Sequence, residues 1–184
     1  MAADKFIPHH PEELEKLLSL SKGCTSILEI GSRYGHTLDL MARTTPFKKV
    51  VAVDLPGIYP WGEDSEKELK IKIQRLREDG YDAHLFIGDS SNEDIVSSVF
   101  ELGPFDMVFI DGDHHYEGVL SDWRNYGHLG KTVVFHDIVQ PKPDERQELE
   151  VWKLWQSLNG DKEEFVGVNS KMGLGVLRQC SWRP

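Results

Sequence analysis

Five short apolar runs, each carrying an acid at or next to its end, set the strongest limit on how this chain folds. They are "SILEI", "VVAVD", "HLFIGD", "MVFID" and "VVFHD", and their acids are Glu29, Asp54, Asp89, Asp111 and Asp137. Stretches with apolar residues at helical spacing lie between them. Strands that alternate with helices build βαβ units and a mostly parallel sheet. Near-continuous apolar runs fit strands covered on both faces. The expected fold is a Rossmann-like, doubly wound α/β sheet of seven strands. Its last two segments, "EEFVGVNS" and "GLGVLRQ", would close it as an antiparallel hairpin. Open sheets of this kind bind ligands beyond the carboxyl ends of their strands. All five acids are expected on that one rim.

The rest of the chain sets bounds. Its 184 residues suit one domain, with residues 1–24 as a helical extension starting at Pro11. Helices are expected over 36–44, 65–80, 92–102, 116–128 and 145–158. His9 and His10 fall in a terminal stretch expected to be mobile. A net charge of −10 argues against nucleic acid as a partner, because phosphate binding needs a basic surface. No run is long enough for a membrane span, and the first residues have no apolar signal core. Cys24 and Cys180 match no metal or disulfide framework, which suits reduced thiols in a cytoplasmic protein.

"LEIGSRYGHT" ends a strand at Gly31 and opens a helix at Gly35, so a ligand can approach the backbone and the helix start. A tight strand-to-helix turn alone gives the same pattern. Asp54, closing the next strand, suits a ribose diol. "GSRYG" lacks the middle glycine that admits a dinucleotide pyrophosphate, which disfavours a nicotinamide oxidoreductase. An acid ahead of the turn, Glu29, suits a cationic ligand, and S-adenosylmethionine carries both a sulfonium and an ammonium.

Taken together, "ILEIGSRYGHT", "VVAVDLPG", "FIGDSSNE", "FDMVFIDGDHHYEGVLSDW" and "VVFHD" resemble class I S-adenosylmethionine-dependent methyltransferases. The pattern is similar to small-molecule O-methyltransferases related to enzymes of macrocin and cephalosporin biosynthesis. The resemblance runs from residue 25 to 177. It implies that Glu29, Gly31, Ser32 and Gly35 line the methionine end of the cofactor and that Asp54 takes the ribose hydroxyls. Gly88, Asp89 and Ser90 would lie near the adenine, with Asp111 at the cofactor edge. It further implies a divalent ion, Mg²⁺ or Mn²⁺, between Asp111, His136 and Asp137. Such an ion would orient a bound hydroxyl and lower its pKa. Relatives carry two acids where this chain has His136-Asp137, and imidazole is a poor Mg²⁺ ligand. A different metal, a supporting role for His136, or no metal all remain open at this point.

Asp113 matches the base position of sugar-methylating relatives. His114, three residues after Asp111, is the second candidate base, because histidine's ordinary pKa suits proton abstraction. His115 is expected to face away, Asp106 to serve a turn, and Trp152 and Trp155 to pack their helix on the sheet. The loop with Tyr59, Pro60 and Trp61 could cap the cleft. Little chain precedes the first strand, so cover over the acceptor is expected from residues 55–64 and 139–145, or from a second copy of the chain in a homo-oligomer. The expected reaction is O-methylation of a small-molecule hydroxyl. Two rivals are a phosphoesterase built on "DHH" and a protein that binds S-adenosylmethionine without catalysis.

Overall fold

The computed structural model describes residues 9–55, 65–168 and 170–179. Its elements alternate as the apolar runs require. The helices are α1 (Pro11–Leu20), α2 (His36–Thr44), α3 (Ser65–Glu78), α4 (Glu93–Leu102), α5 (Tyr116–Tyr126) and α6 (Val151–Ser157). The strands are β1 (Ser26–Ile30), β2 (Lys49–Asp54), β3 (Asp82–Ile87), β4 (Phe105–Ile110), β5 (Gly130–His136), β6 (Asp161–Phe165) and β7 (Leu174–Arg178). They form one seven-stranded sheet in the order β3-β2-β1-β4-β5-β7-β6. The first five are parallel, and β7 runs antiparallel to both β5 and β6. The expected fold class is the one observed.

Strand alternation splits the core in two. Leu28, Ile30, Val51, Val53, Val108 and Phe135 face α4, α5 and α6, where Val99, Val119 and Trp155 meet them. Ile27, Val50, Ala52, Met107, Phe109 and Val134 face α1, α2 and α3, whose Leu17, Met41 and Ile73 cover them. Both faces are therefore sealed, and the carboxyl-end rim is left as the place for chemistry.

Two expected helices are shorter. The segment 145–150 turns instead of coiling, because tertiary bonds claim its backbone. The Glu150 amide donates to the His114 carbonyl at 2.8 Å, and Leu149 is buried. The expected 116–128 helix ends at Tyr126 and finishes as a 3₁₀ turn, Gly127–Leu129. Trp155 is 1% exposed and packs on Phe135, as expected of a residue that seats its helix. Asp106 accepts from the Thr25 amide at 2.6 Å, which is a strand-start contact. Tyr59, Pro60, Trp61 and Cys180 lie outside the described residues. Among the described residues no helix is long and apolar enough to cross a membrane.

Candidate active site

The turn after β1 ties three strands together. Gly31 has φ +88°, its amide donates to the Val53 carbonyl at 2.9 Å, and a Cβ there would lie 2.1 Å from the Asp111 carbonyl oxygen. Only glycine fits, because the Asp111 backbone passes this close, and Gly31 still lines the cavity at the rim. The Arg33 amide donates to Asp54 Oδ1 at 2.9 Å, so the turn and the end of β2 are locked. Gly35, at φ +69°, starts α2 against Leu69.

Glu29 sits beneath this turn, 2% exposed, and its Oε2 has no hydrogen-bond partner among the described residues. Burial pushes its carboxyl up to about 8 against the pull of the Ser32 hydroxyl, and the charges of Asp111 and Asp54 add to the rise. Asp54 is raised by burial to about 6, opposed by the Arg33 amide. A buried acid with one unpartnered oxygen, beside a second raised acid, fits a ligand that brings positive charge and hydroxyl donors.

A cavity of about 680 Å³ opens at this rim. Gly31, Asp54, Gly88, Asp89 and Ser90 line one side, and Asp111, Asp113 and His114 the other. Arg146, Glu148 and Leu149 of the crossing segment also line it. Glu29, Ser32 and Gly35 are buried below or behind it, as are His136 and Asp137. The five rim acids thus occupy two depths. Asp89 is exposed and accepts from Ser91, whose amide and hydroxyl hold its carboxyl below the usual range. The Ser90 hydroxyl donates to Asp122 Oδ1 at 2.6 Å. Asp122, 1% exposed on α5, is raised by burial to about 6.

The other end of the rim holds a network of acids and imidazoles. His136 Nδ1 lies 3.1 Å from Asp111 Oδ1 and 3.5 Å from Asp137 Oδ1, and its Nε2 lies 3.2 Å from Glu13 Oε2. Burial works against the charged imidazole, but Asp111 and the other carboxylates outweigh it and raise the pKa well above the ordinary value. His114 Nδ1 forms an ion pair with Asp137 Oδ2. Here too burial is outweighed by Asp137, so His114 is raised and Asp137 lowered. Asp137 itself has φ +60°, a left-handed backbone rare for a residue with a side chain. Asp113 Oδ1 accepts from the His115 amide at 2.9 Å and meets its ring Nδ1 at 2.7 Å, while Gly118 leaves room for Oδ2. His115 points outward, two-thirds exposed, but is tied to the candidate base.

Three residues in this region escaped the sequence reading. His9 is not in a loose end: it is 7% exposed, its Nε2 lies 3.6 Å from Asp111 Oδ2, and its ring meets that of His136 edge-on at 4.7 Å. Burial lowers its pKa, against the pull of Asp111. Glu13 is 1% exposed on α1. Burial alone would raise it, yet bonds from His136, Ser170 and the Gly173 amide hold it at about 2. Asp122 was legible in principle, as an acid on the stripe Val119–Asp122–Tyr126 that α5 buries. Asp111, His136 and Asp137 offer ligand atoms within 4.8 Å of one another, and so do His9, Glu13 and His136.

Comparison with known proteins agrees with this architecture. A family model described as a methyltransferase domain matches residues 28–138. An uncharacterized protein, R132, of Acanthamoeba polyphaga mimivirus is 29% identical over 140 residues, 70% of this chain, and the chain spans 58% of that relative's length. A putative caffeoyl-CoA O-methyltransferase from Staphylococcus aureus superposes with a TM-score of 0.67 at 14% identity, covering 93% of this chain and 85% of that one. An O-methyltransferase from Bacillus cereus, solved with S-adenosylhomocysteine (SAH), gives 0.61 at 17% identity over 96% and 84%. With strand order, glycine turn and acid rim in place, the chain belongs to the methyltransferase-domain family.

Proposed function

We propose that this chain transfers the methyl group of S-adenosylmethionine to a hydroxyl oxygen of a small molecule. One observation carries the reading: a single cavity has the glycine turn and Asp54 on one side and Asp113 and His114 on the other. On this reading one side of the space holds the cofactor and the other handles the proton. The similarity to proteins named as O-methyltransferases supports it.

Glu29, Gly31, Ser32 and Gly35 form the methionine end of the cofactor site, and Asp54 accepts from the ribose hydroxyls. Gly88, Asp89 and Ser90 flank the adenine, with Asp111 at the cofactor edge. When bound, S-adenosylmethionine supplies an electrophilic methyl, so the protein's task is to align the acceptor oxygen and take its proton. Asp113 is the base. His114 has a different part from the one its ordinary pKa suggests: its pair with Asp137 raises its pKa, which favours a donor to the acceptor over a base. Asp111, His136 and Asp137 form a set suited to a divalent ion, which would lower the pKa of an acceptor hydroxyl. The crossing segment with Arg146, Glu148 and Leu149 covers the acceptor side.

The test is SAH release over a panel of catechols, phenols and sugars. An Asp113→Asn variant should lose about 100-fold or more in kcat/KM, the scale of a missing general base, with S-adenosylmethionine affinity unchanged. Full turnover in that variant would remove Asp113 from the base role. Binding without turnover on any acceptor would favour the non-catalytic reading.

A further inference from the structure

We propose that His9, Glu13 and His136 form a site for a first-row transition-metal dication, held under the clamp that α1 makes on the end of β5. This set shares His136 with the carboxylate set Asp111/His136/Asp137 but takes the ring's other nitrogen, and it does not depend on the methyl-transfer reading.

The His136 ring links the two halves of the set. Its two nitrogens face opposite groups: Nδ1 meets Asp111 Oδ1 at 3.1 Å, and Nε2 meets Glu13 Oε2 at 3.2 Å. Both carboxylates only accept, so the metal-free ring carries a proton on each nitrogen; an ion entering on the Glu13 side would displace the Nε2 proton and leave Nδ1–H donating to Asp111. This is the arrangement in which a carboxylate fixes the tautomer of a metal-ligating histidine and presents its other nitrogen to the ion. Glu13 is prepared in the same way. Its Oε1 is engaged by the Ser170 hydroxyl and by the Gly173 amide at 2.8 Å, which aims Oε2 at His136. Two ligands of a tetrahedral ion, each about 2.0–2.1 Å from it, sit about 3.4 Å apart. The observed 3.2 Å between Nε2 and Oε2 already matches that spacing.

His9 completes the set. It precedes Glu13 by four positions, is 7% exposed, and meets His136 edge-on, and its Nδ1 has no hydrogen-bond partner among the described residues. One donor atom from each of the three residues falls within 4.8 Å of the others. A buried ring nitrogen without a hydrogen-bond partner is costly unless something bonds it. Two imidazoles and one carboxylate suit Zn²⁺, Fe²⁺ or Mn²⁺ and discriminate against Mg²⁺, which prefers oxygens. One neutral imidazole serves one ion at a time, so a hard ion would select Asp111 and Asp137, and a borderline one the Nε2 set.

The experiment uses the full chain, stripped with a chelator and titrated separately with Zn²⁺ and with Mg²⁺. The expected result is one Zn²⁺ per chain at micromolar affinity or tighter, with Mg²⁺ unable to displace it. Loss of a donor in H9A or E13Q should weaken Zn²⁺ about 10- to 100-fold or more, at least the loss seen when an outer partner is removed, while D137N should retain most of it. Should a variant fail to fold, the wild-type chain still decides: Co²⁺ at this set gives the intense visible absorption of a tetrahedral site. No Zn²⁺ binding, or binding that survives H9A and E13Q but not D137N, overturns the proposal. In the first of those cases His136 is an imidazolium held among carboxylates. S-adenosylmethionine binding to the metal-free chain, measured alongside, tests the cofactor site independently.

Discussion

At the scale of single residues, the site is written in groups whose environments conflict with their charge. Glu29 is the clearest. Its folded pKa, about 8, lies above the unfolded value near 4.5, so its neutral form fits the fold. Stability tied to that form is fully present below pH 4.5 and is lost as pH rises toward 8. A Glu29→Gln variant of the cofactor-free protein should therefore gain stability over wild type as pH goes from 5 to 8. The relative gain is a few kcal/mol, since each tenfold change in proton affinity is worth about 1.4 kcal/mol. Urea melts at both pH values measure it, and equal differences at the two would contradict the assignment. Glycine gives a paired prediction. Gly23 and Gly31 share a positive φ, but a Cβ at Gly23 meets nothing while one at Gly31 strikes the Asp111 carbonyl. Gly23→Ala should cost about 1 kcal/mol and Gly31→Ala several, with loss of cofactor binding. The acids and glycines were legible because strand ends and turns are local. Glu13 was not, since its partners Ser170 and Gly173 are about 160 residues away in sequence.

At the scale of elements, α1 matters more than its short length suggests. Pro11 starts it, Glu12 and Glu13 sit at the positive end of its dipole, and Leu17, fully buried, anchors it to the sheet. Leu17→Ala should cost about 2–5 kcal/mol in a denaturant melt, the range for a buried leucine with partial collapse. A loss under about 1 kcal/mol, well short of that range, would mean that α1 is only loosely docked. The 145–158 segment marks the limit of sequence reading at this scale. Its helical spacing is real, but residues 145–150 form turns while the Glu150 amide bonds the His114 carbonyl and its side chain takes the Tyr116 amide. Periodicity reports a local preference and says nothing about a distant carbonyl waiting for a donor. His9 illustrates the converse, an expected loose end that is seated because an imidazole found Asp111 and His136.

At the scale of the whole molecule, the sheet does the arranging. Parallel strands sealed on both faces leave one polar rim, and β1, β2 and β4 bring Glu29, Asp54 and Asp111 to it side by side. This much followed from the alternation of apolar runs and helices, because the register of a buried strand admits no slip. What the sequence could not supply was depth: Glu29 and Asp137 are buried beneath the rim while Asp54, Asp89 and Asp111 line the cavity. The central claim, that this rim is a cofactor site for S-adenosylmethionine, has a direct test. Wild-type and Asp54→Ala proteins would be titrated calorimetrically with S-adenosylmethionine and, in parallel, with NAD⁺. Expected are micromolar binding of S-adenosylmethionine, no binding of NAD⁺, and at least about a 10-fold loss in the variant, the worth of one charged hydrogen bond. Equal affinity in the two proteins, or preference for NAD⁺, would contradict it.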